Sequence, residues 1–202
     1  MSDSWQPRTK IGMMVKEGKI ASIEELFMNN YRITEPEIVD YLVPNLQQEV
    51  LNIKLVQRQT DAGEKSRFKA VVAVGNGDGL VGLGTGKSTQ VVMAIERGVS
   101  RAKMNLIYVQ RGCGSWECAC GEPHSLRTVL RGKRGSVEIV LLPGPRGLGL
   151  VAGDVAKIIL RLAGVKDCWT RSFGETRTPL SMAGAVFDAL RRSNTIVLPS
   201  MW

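Results

Sequence analysis

Residues 67–88 read Arg67-Phe68-Lys69-Ala70-Val71-Val72-Ala73-Val74-Gly75, then Asn76-Gly77-Asp78-Gly79, then Leu80-Val81-Gly82-Leu83-Gly84-Thr85-Gly86-Lys87-Ser88. Phe68 to Val74 is an apolar, β-branched run of strand length. Asn76 to Gly79 supplies the positive-φ positions of a turn, and Leu80 to Gly84 resumes as a short strand. Upstream, Glu49 to Thr60 alternates imperfectly through Val50, Ile53 and Val56, as a half-buried strand does. Asp61 to Lys65 is the polar turn between them. Downstream, Ser88 is expected to cap a helix whose inner face is Val91, Ile95, Val99 and Ala102. With a short helix expected ahead of them, helix, three strands, helix is the order over residues 35–105, a compact α+β unit.

Working outward, Ser22 with Glu25, and Thr34 with Glu37, have capping-box spacing ahead of short apolar runs. Pro44 ends the second of these. Past the helix, Leu126 to Leu130 and Val137 to Leu142 read as strands joined by a basic turn, Arg131-Gly132-Lys133-Arg134. A helix is expected from Asp154 to Ala163 with Gly164 as its stop, and a strand from Val165 to Arg171. Thr178-Pro179 opens a last helix running to Arg192. The expected division is an arm with short helices over 1–45, a first domain over 46–109, a Cys/His loop over 110–125, a second α+β domain over 126–195 and a tail over 196–202.

The chain has 202 residues, 44% hydrophobic and 23% charged, a globular rather than a disordered composition. Its net charge of +8 is uneven. Residues 1–53 hold five basic and eight acidic side chains, a net of −3. Residues 54–103 hold nine and four, or +5, and residues 104–202 hold thirteen and seven, or +6. An acidic arm on a basic body favours a polyanionic partner for the body, and a basic protein neighbour for the arm. No stretch is apolar enough to read as a secretory signal or a membrane span, and one His with four Cys is not a disulfide scaffold, so a cytosolic compartment is expected.

Two nucleotide motifs are approximated and missed. Gly82 to Ser88 resembles a phosphate-binding loop, but the first position, counted back from Gly86, is Val81. Gly77-Asp78-Gly79-Leu80-Val81-Gly82 has the dinucleotide spacing but does not open directly into a helix. No Ser/His/Asp, Cys/His or paired-carboxylate set stands out. The glycines have another use. Gly82, Gly84 and Gly86 strip one face of a strand and let a second backbone, protein or RNA, approach closely. Lys54, Arg58, Lys65, Arg67 and Lys69 flank that hairpin, with Lys87 beside it. About five phosphate contacts would give a salt slope of roughly −3.5 to −4.5. Only Phe68 interleaves this basic set, so recognition of shape and backbone fits better than base stacking.

Cys113, Cys118, Cys120 and His124 lie within twelve residues bent by Gly112, Gly114, Gly121 and Pro123. Three thiolates and an imidazole are a complete tetrahedral Zn²⁺ set, so structural zinc is the metal expectation. Reduced packed thiols, or a disulfide, are the alternatives.

The quoted stretch, with Pro145-Arg146-Gly147-Leu148-Gly149-Leu150-Val151-Ala152-Gly153 and Leu162-Ala163-Gly164-Val165-Lys166-Asp167-Cys168, closely resembles the small-subunit ribosomal protein family numbered five in bacteria and two in eukaryotes. Trp5, Pro7, Thr9, Lys10 and Gly12 fit as well, and the arm and cysteine loop look archaeal in type. The resemblance implies a double-stranded-RNA-binding-like domain followed by a left-handed βαβ-type domain. It also implies a non-enzymatic, cytoplasmic, ribosome-bound constituent of the small subunit. Such a protein binds small-subunit ribosomal RNA, supports assembly and decoding accuracy, and contacts the ribosomal proteins numbered four, eight and three along the path by which mRNA enters. Carried onto this chain, Lys65, Arg67, Asn76, Gly77, Gly79, Gly82, Gly84, Gly86 and Lys87 would face RNA. Arg111, Arg131, Lys133, Arg134 and Arg146 are added by charge in turns. The competing expectations are a nucleotide-dependent RNA-acting enzyme using Gly82 to Lys87, and a free zinc-containing RNA-binding regulator.

Overall fold

Thr60 closes the first hairpin. Its hydroxyl donates to the Gly63 carbonyl at 2.6 Å, and Gly63 adopts φ +113°, joining β1 (Gln47–Thr60) to β2 (Gly63–Gly75). The structure, a computed structural model, describes residues 5–118 and 120–194; the expected tail over 196–202 lies outside the described residues. The architecture is α+β. The chain divides into two units, Met1–Val74 with Gly82–Leu106, and Gly75–Val81 with Ile107–Trp202.

The first sheet has the order β1-β2-β3-β4, with β3 at Leu80–Ser88 and β4 at Leu106–Tyr108. The fourth strand is an addition to the three expected. Before the sheet come α1 (Lys10–Lys16), α2 (Ile23–Met28) and α3 (Pro36–Leu42). The Ser22 cap forms as read and the box around it is shifted: Ser22 Oγ accepts from the Glu25 amide, and Glu25 Oε2 reaches back one residue beyond the cap to accept from the Ala21 amide at 3.0 Å. The second box does not form. Glu35 takes the N-cap position because Pro36 is pre-set for the first helical turn, so Thr34 lies outside.

α4 (Val91–Met104) begins after Gln90, and Ser88 is the last residue of β3 rather than its cap. The buried stripe of α4 is Ala94, Gly98 and Ala102, with Val91, Ile95 and Val99 only half-buried along its flank. The reason lies in β3. A Cβ at Gly86 would come within 2.5 Å of the Gly98 nitrogen, and one at Gly82 within 3.1 Å of the Ala102 carbonyl carbon. The helix backbone therefore rests on the strand, and only small residues fit between them. Ala70 and Val72 of β2 pack with Ala94, and Phe68, Ile95 and Val99 close the edge of this cluster.

The second unit has a sheet of order β7-β8-β10-β9: β7 (Leu130–Arg134), β8 (Val137–Pro143), β9 (Leu150–Val151) and β10 (Cys168–Phe173). β5 (Arg111–Gly112) pairs antiparallel with β6 (Ser125–Leu126). β10 runs antiparallel to β8 and parallel to β9. Val137, Ile139 and Leu141 are buried, as are Ala156, Ile159, Leu160 and Leu162 of α5 (Asp154–Leu162) and Val186, Ala189 and Leu190 of α6 (Pro179–Arg191). The basic turn expected at 131–134 is instead strand β7, and the chain reverses at Gly135, with φ +61°, one step later. Its residues also divide between faces. A Cβ at Gly132 would meet Ala189 Cβ of α6 at 2.8 Å, so alternation turns Arg131 and Lys133 to the opposite face, while the Arg134 stem lies over Gly184.

Candidate nucleic-acid interface

Gln57 identifies the faces of the first hairpin. Its Nε2 donates to Glu64 Oε2 at 2.8 Å and to Ser66 Oγ at 3.2 Å, so these three side chains share one face. Alternation places Lys54 and Arg58 of β1 with Lys65, Arg67 and Lys69 of β2 on the other. Phe68, Ala70 and Val72 pack against α4, so the basic face is the one turned away from that helix. In β3, Gly82, Gly84 and Gly86 meet α4, which sends Lys87 to the basic face as well. Lys54, Arg58, Lys65, Arg67 and Lys87 are exposed and Lys69 half-buried. Six cations, scattered over 34 residues of sequence, thus share one side of a sheet.

The glycine stripe has a different occupant from the one the resemblance implied. The backbone that approaches Gly82, Gly84 and Gly86 is that of α4, so this face of β3 is filled by protein and is closed to RNA. The strand also settles the fate of the loop-like motif. Gly82 to Lys87 is extended, and its amides do not curl around a common point as phosphate-binding loops require.

The turn at 76–79 likewise has a protein partner. α5 ends in a Schellman motif, with Val165 N–H donating to the Leu160 carbonyl at 3.0 Å and Gly164 N–H to Arg161 at 2.9 Å. Gly164 carries φ +76°. The Leu162 and Ala163 carbonyls left over accept from the Gly77 and Gly79 amides at 2.9 and 3.1 Å. Asn76 Oδ1 shapes the turn by accepting from the Asp78 and Leu80 amides. The turn is a cap on α5. Arg111 serves the same place: it pairs with Asp78 and its Nη1 donates to the Gly164 carbonyl at 3.4 Å, so it is a clamp rather than a free phosphate ligand.

On the second sheet, Arg131 and Lys133 share an open face with Glu138, Val140, Leu142, Arg171 and Phe173. Lys133 stands opposite Glu138, and Arg131 and Arg171 flank Val140. Trp169 and Phe173 on this face are 44% and 56% exposed, which makes it more apolar than the first basic face. Arg146 is exposed and pairs with Glu122 at 3.1 Å.

Cys113, Cys118, Cys120 and His124 converge, their ligand atoms all within 4.8 Å of one another. A hydrogen bond with the Arg146 backbone, then one with Cys120, pulls the Cys118 thiol down to about 6. The His124 hydrogen bond lowers Cys113. At Cys120 the Glu122 backbone bond pulls downward, but burial and the two neighbouring thiols outweigh it and raise the pKa. Cys168, buried elsewhere, is pushed up to about 12. Reading by residue type missed Asp167 as a partner of the cluster: it stands in the quoted 162–168 stretch, but it bonds His124 across 43 residues of chain and nothing local linked the two.

Two family models match the chain: "Ribosomal protein S5, N-terminal domain" over residues 46–110 and "Ribosomal protein S5, C-terminal domain" over residues 132–199. Similar proteins include the small ribosomal subunit protein uS5 of Pyrobaculum aerophilum, 64% identical over 189 residues that cover 94% of this chain and 87% of the relative. That of Pyrobaculum arsenaticum is 65% identical over 189 residues and 94% of both chains. That of Thermofilum pendens is 57% identical over 202 residues and the full length of both.

Proposed function

This chain belongs to the ribosomal protein S5 family, and from that premise we propose that it is a structural, non-enzymatic constituent of the small ribosomal subunit, of archaeal type, that clamps folded ribosomal RNA. The observation that carries the RNA reading is the single basic sheet face of Lys54, Arg58, Lys65, Arg67, Lys69 and Lys87. A two-stranded arm with cations along one face meets the phosphates of a folded duplex without needing to read bases. Phe68 is committed to the α4 cluster, which removes the one aromatic of the hairpin from base stacking. A helix packed on one side of such a sheet, with cations on the other, suits a double-stranded-RNA-binding-like first domain. Two helices beside the mixed β7-β8-β10-β9 sheet suit a second domain of the left-handed βαβ type.

The remaining surfaces fit protein neighbours. The open face bearing Trp169, Phe173, Val140 and Leu142 among Arg131, Lys133 and Arg171 has the apolar centre and charged rim of an interface. The acidic arm is the complement for a basic protein. Family resemblance supplies the candidates, the ribosomal proteins numbered four, eight and three, beside the path by which mRNA enters, with roles in subunit assembly and accuracy.

Sedimentation tests the reading. In a gradient at moderate salt, nearly all of the protein should run with small subunits. A mostly free pool would replace this function with that of a free RNA-binding regulator.

A further inference from the structure

Nothing apolar accounts for the order of the segment that carries the cysteines. From Gly112 to Pro123 no described side chain is buried, and Trp116, the large apolar residue there, is 90% exposed. Its backbone contributes little: the Gly114 amide reaches the Leu126 carbonyl, and Cys118 reaches only as far as Ser115. A loop with so small a core normally needs a cross-link or a metal. Yet four ligand atoms converge in it, with Cys118 Sγ and His124 Nε2 3.9 Å apart and all four within 4.8 Å. Zinc with sulfur at about 2.3 Å and nitrogen at about 2.0 Å sets its tetrahedral ligand atoms about 3.5–3.8 Å apart, so closure requires shifts of about 1 Å or less.

A second observation lies behind the imidazole. Asp167, 5% exposed, accepts a hydrogen bond from His124 Nδ1 at 2.9 Å. A carboxylate can only accept, so Nδ1 carries the proton and the Nε2 lone pair points toward the three sulfurs. Asp167 is itself immobilised. Its Oδ1 accepts from the Gly149 amide at 2.8 Å, its carbonyl accepts from Ser125 Oγ, and its amide with that of Lys166 donates back to the His124 carbonyl. A buried, fully bonded carboxylate on the far ring nitrogen is what orients metal-ligating histidines and strengthens them as donors.

We propose that this loop is a structural zinc site with Cys113, Cys118 and Cys120 thiolates and His124 Nε2 as its four ligands, and Asp167 as the positioning residue that fixes the imidazole. With all three cysteines bound as thiolates, any protons they still carried having gone to solvent, the site has a net charge of −1. All four positions are filled by the protein, so the metal folds the loop and has no open position for chemistry. What it organises is the exposed Trp116 and, through the Cys118 contact with the Arg146 backbone and the Arg146 to Glu122 pair, the turn at 143–149.

The test uses the full-length protein purified without chelators. Elemental analysis should give one zinc per chain, and replacement by Co²⁺ should produce the visible bands of a tetrahedral thiolate site. After chelation, alkylation should label Cys113, Cys118 and Cys120 while buried Cys168 stays protected. Cys118→Ser should lose the metal. Asp167→Asn should keep the tetrahedral Co²⁺ spectrum at saturating metal but weaken zinc about 10–100-fold in competition with a chelator. Where either variant fails to fold, metal content and alkylation of the unmodified chain decide alone. Absence of stoichiometric zinc, an octahedral Co²⁺ spectrum, a disulfide among the three cysteines, or zinc retained by Cys118→Ser would each overturn the site. Unchanged zinc affinity in Asp167→Asn would overturn the positioning role.

Discussion

Gly84 of β3 lies directly beneath the Gly98 carbonyl of α4, so close that a Cβ built on it would collide with that oxygen and come within 2.8 Å of the Ala102 Cα. The obstacle is backbone, which cannot rotate aside as a side chain can. Gly84→Ala must therefore lift the helix off the strand. Overpacking of this kind costs about 1–3 kcal/mol or more. The denaturant midpoint of the isolated protein should fall with little change in slope. A change below about 0.5 kcal/mol, ordinary for a surface site, would mean that the packing is looser than described.

The shared basic face makes a prediction that separates cations by position rather than by charge. Arg67→Ala and Lys87→Ala should each weaken binding of small-subunit ribosomal RNA about equally across sequences and flatten the salt slope by about 0.7–0.9. Arg111→Ala should leave that slope unchanged and lower thermal stability instead, because Arg111 is spent on Asp78 and the Gly164 carbonyl. Filter binding at several salt concentrations, together with thermal melts, reads both effects.

Glu35 holds the amino-terminal arm to α3. It accepts from the Trp5 indole at 3.1 Å and from the Arg8 and Thr9 amides at 2.9 and 2.7 Å. Burial pushes its carboxyl upward, but the hydrogen bonds from Thr9, Arg8 and Trp5 outweigh it, and the net pKa lies below the ordinary 4.5. A depressed folded-state pKa contributes stability that is present above the unfolded value and is lost as pH falls through the folded one. Limited proteolysis should therefore begin to cut the arm below about pH 4.5. Glu35→Gln, which does not titrate, should show no such step and a more accessible arm at neutral pH.

Gly77 and Gly164 both have positive φ, +71° and +76°, but only Gly164 is crowded. A Cβ there would meet the Gly77 carbonyl carbon at 2.7 Å and Arg111 Nη1 at 2.9 Å, whereas one at Gly77 would meet nothing within 4 Å. Gly77→Ala should cost only the left-handed backbone, about 1–2 kcal/mol. Gly164→Ala should cost about 2 kcal/mol more, because it also pushes apart the α5 cap. Equal melting temperatures for the two variants would contradict the capping role of residues 76–79.

Much of this architecture was legible locally. The alternation of Val137, Ile139 and Leu141, the stop at Gly164, the Thr178-Pro179 start and the Ser22 cap each depend on residues within about five positions of one another. The reading failed where two signals competed nearby. Ser88 suits a cap, but β3 continues through it because its glycines accept α4. Arg131 to Arg134 suits a turn, but Gly132 is needed against α6, which keeps the segment in the sheet.

By itself the sequence determined the α+β class, the basic body behind an acidic arm, the family and the clustering of three Cys and the one His along the chain, because composition, period and motif are properties of neighbours along the chain. The tertiary structure decided what occupies each face. It assigned the glycine stripe to a helix, the 76–79 turn to a helix end, six dispersed cations to one sheet face, and Asp167 to His124. Those outcomes rest on contacts across 7 to 85 residues of chain, where strand register and helix docking choose the partner and no local pattern records it.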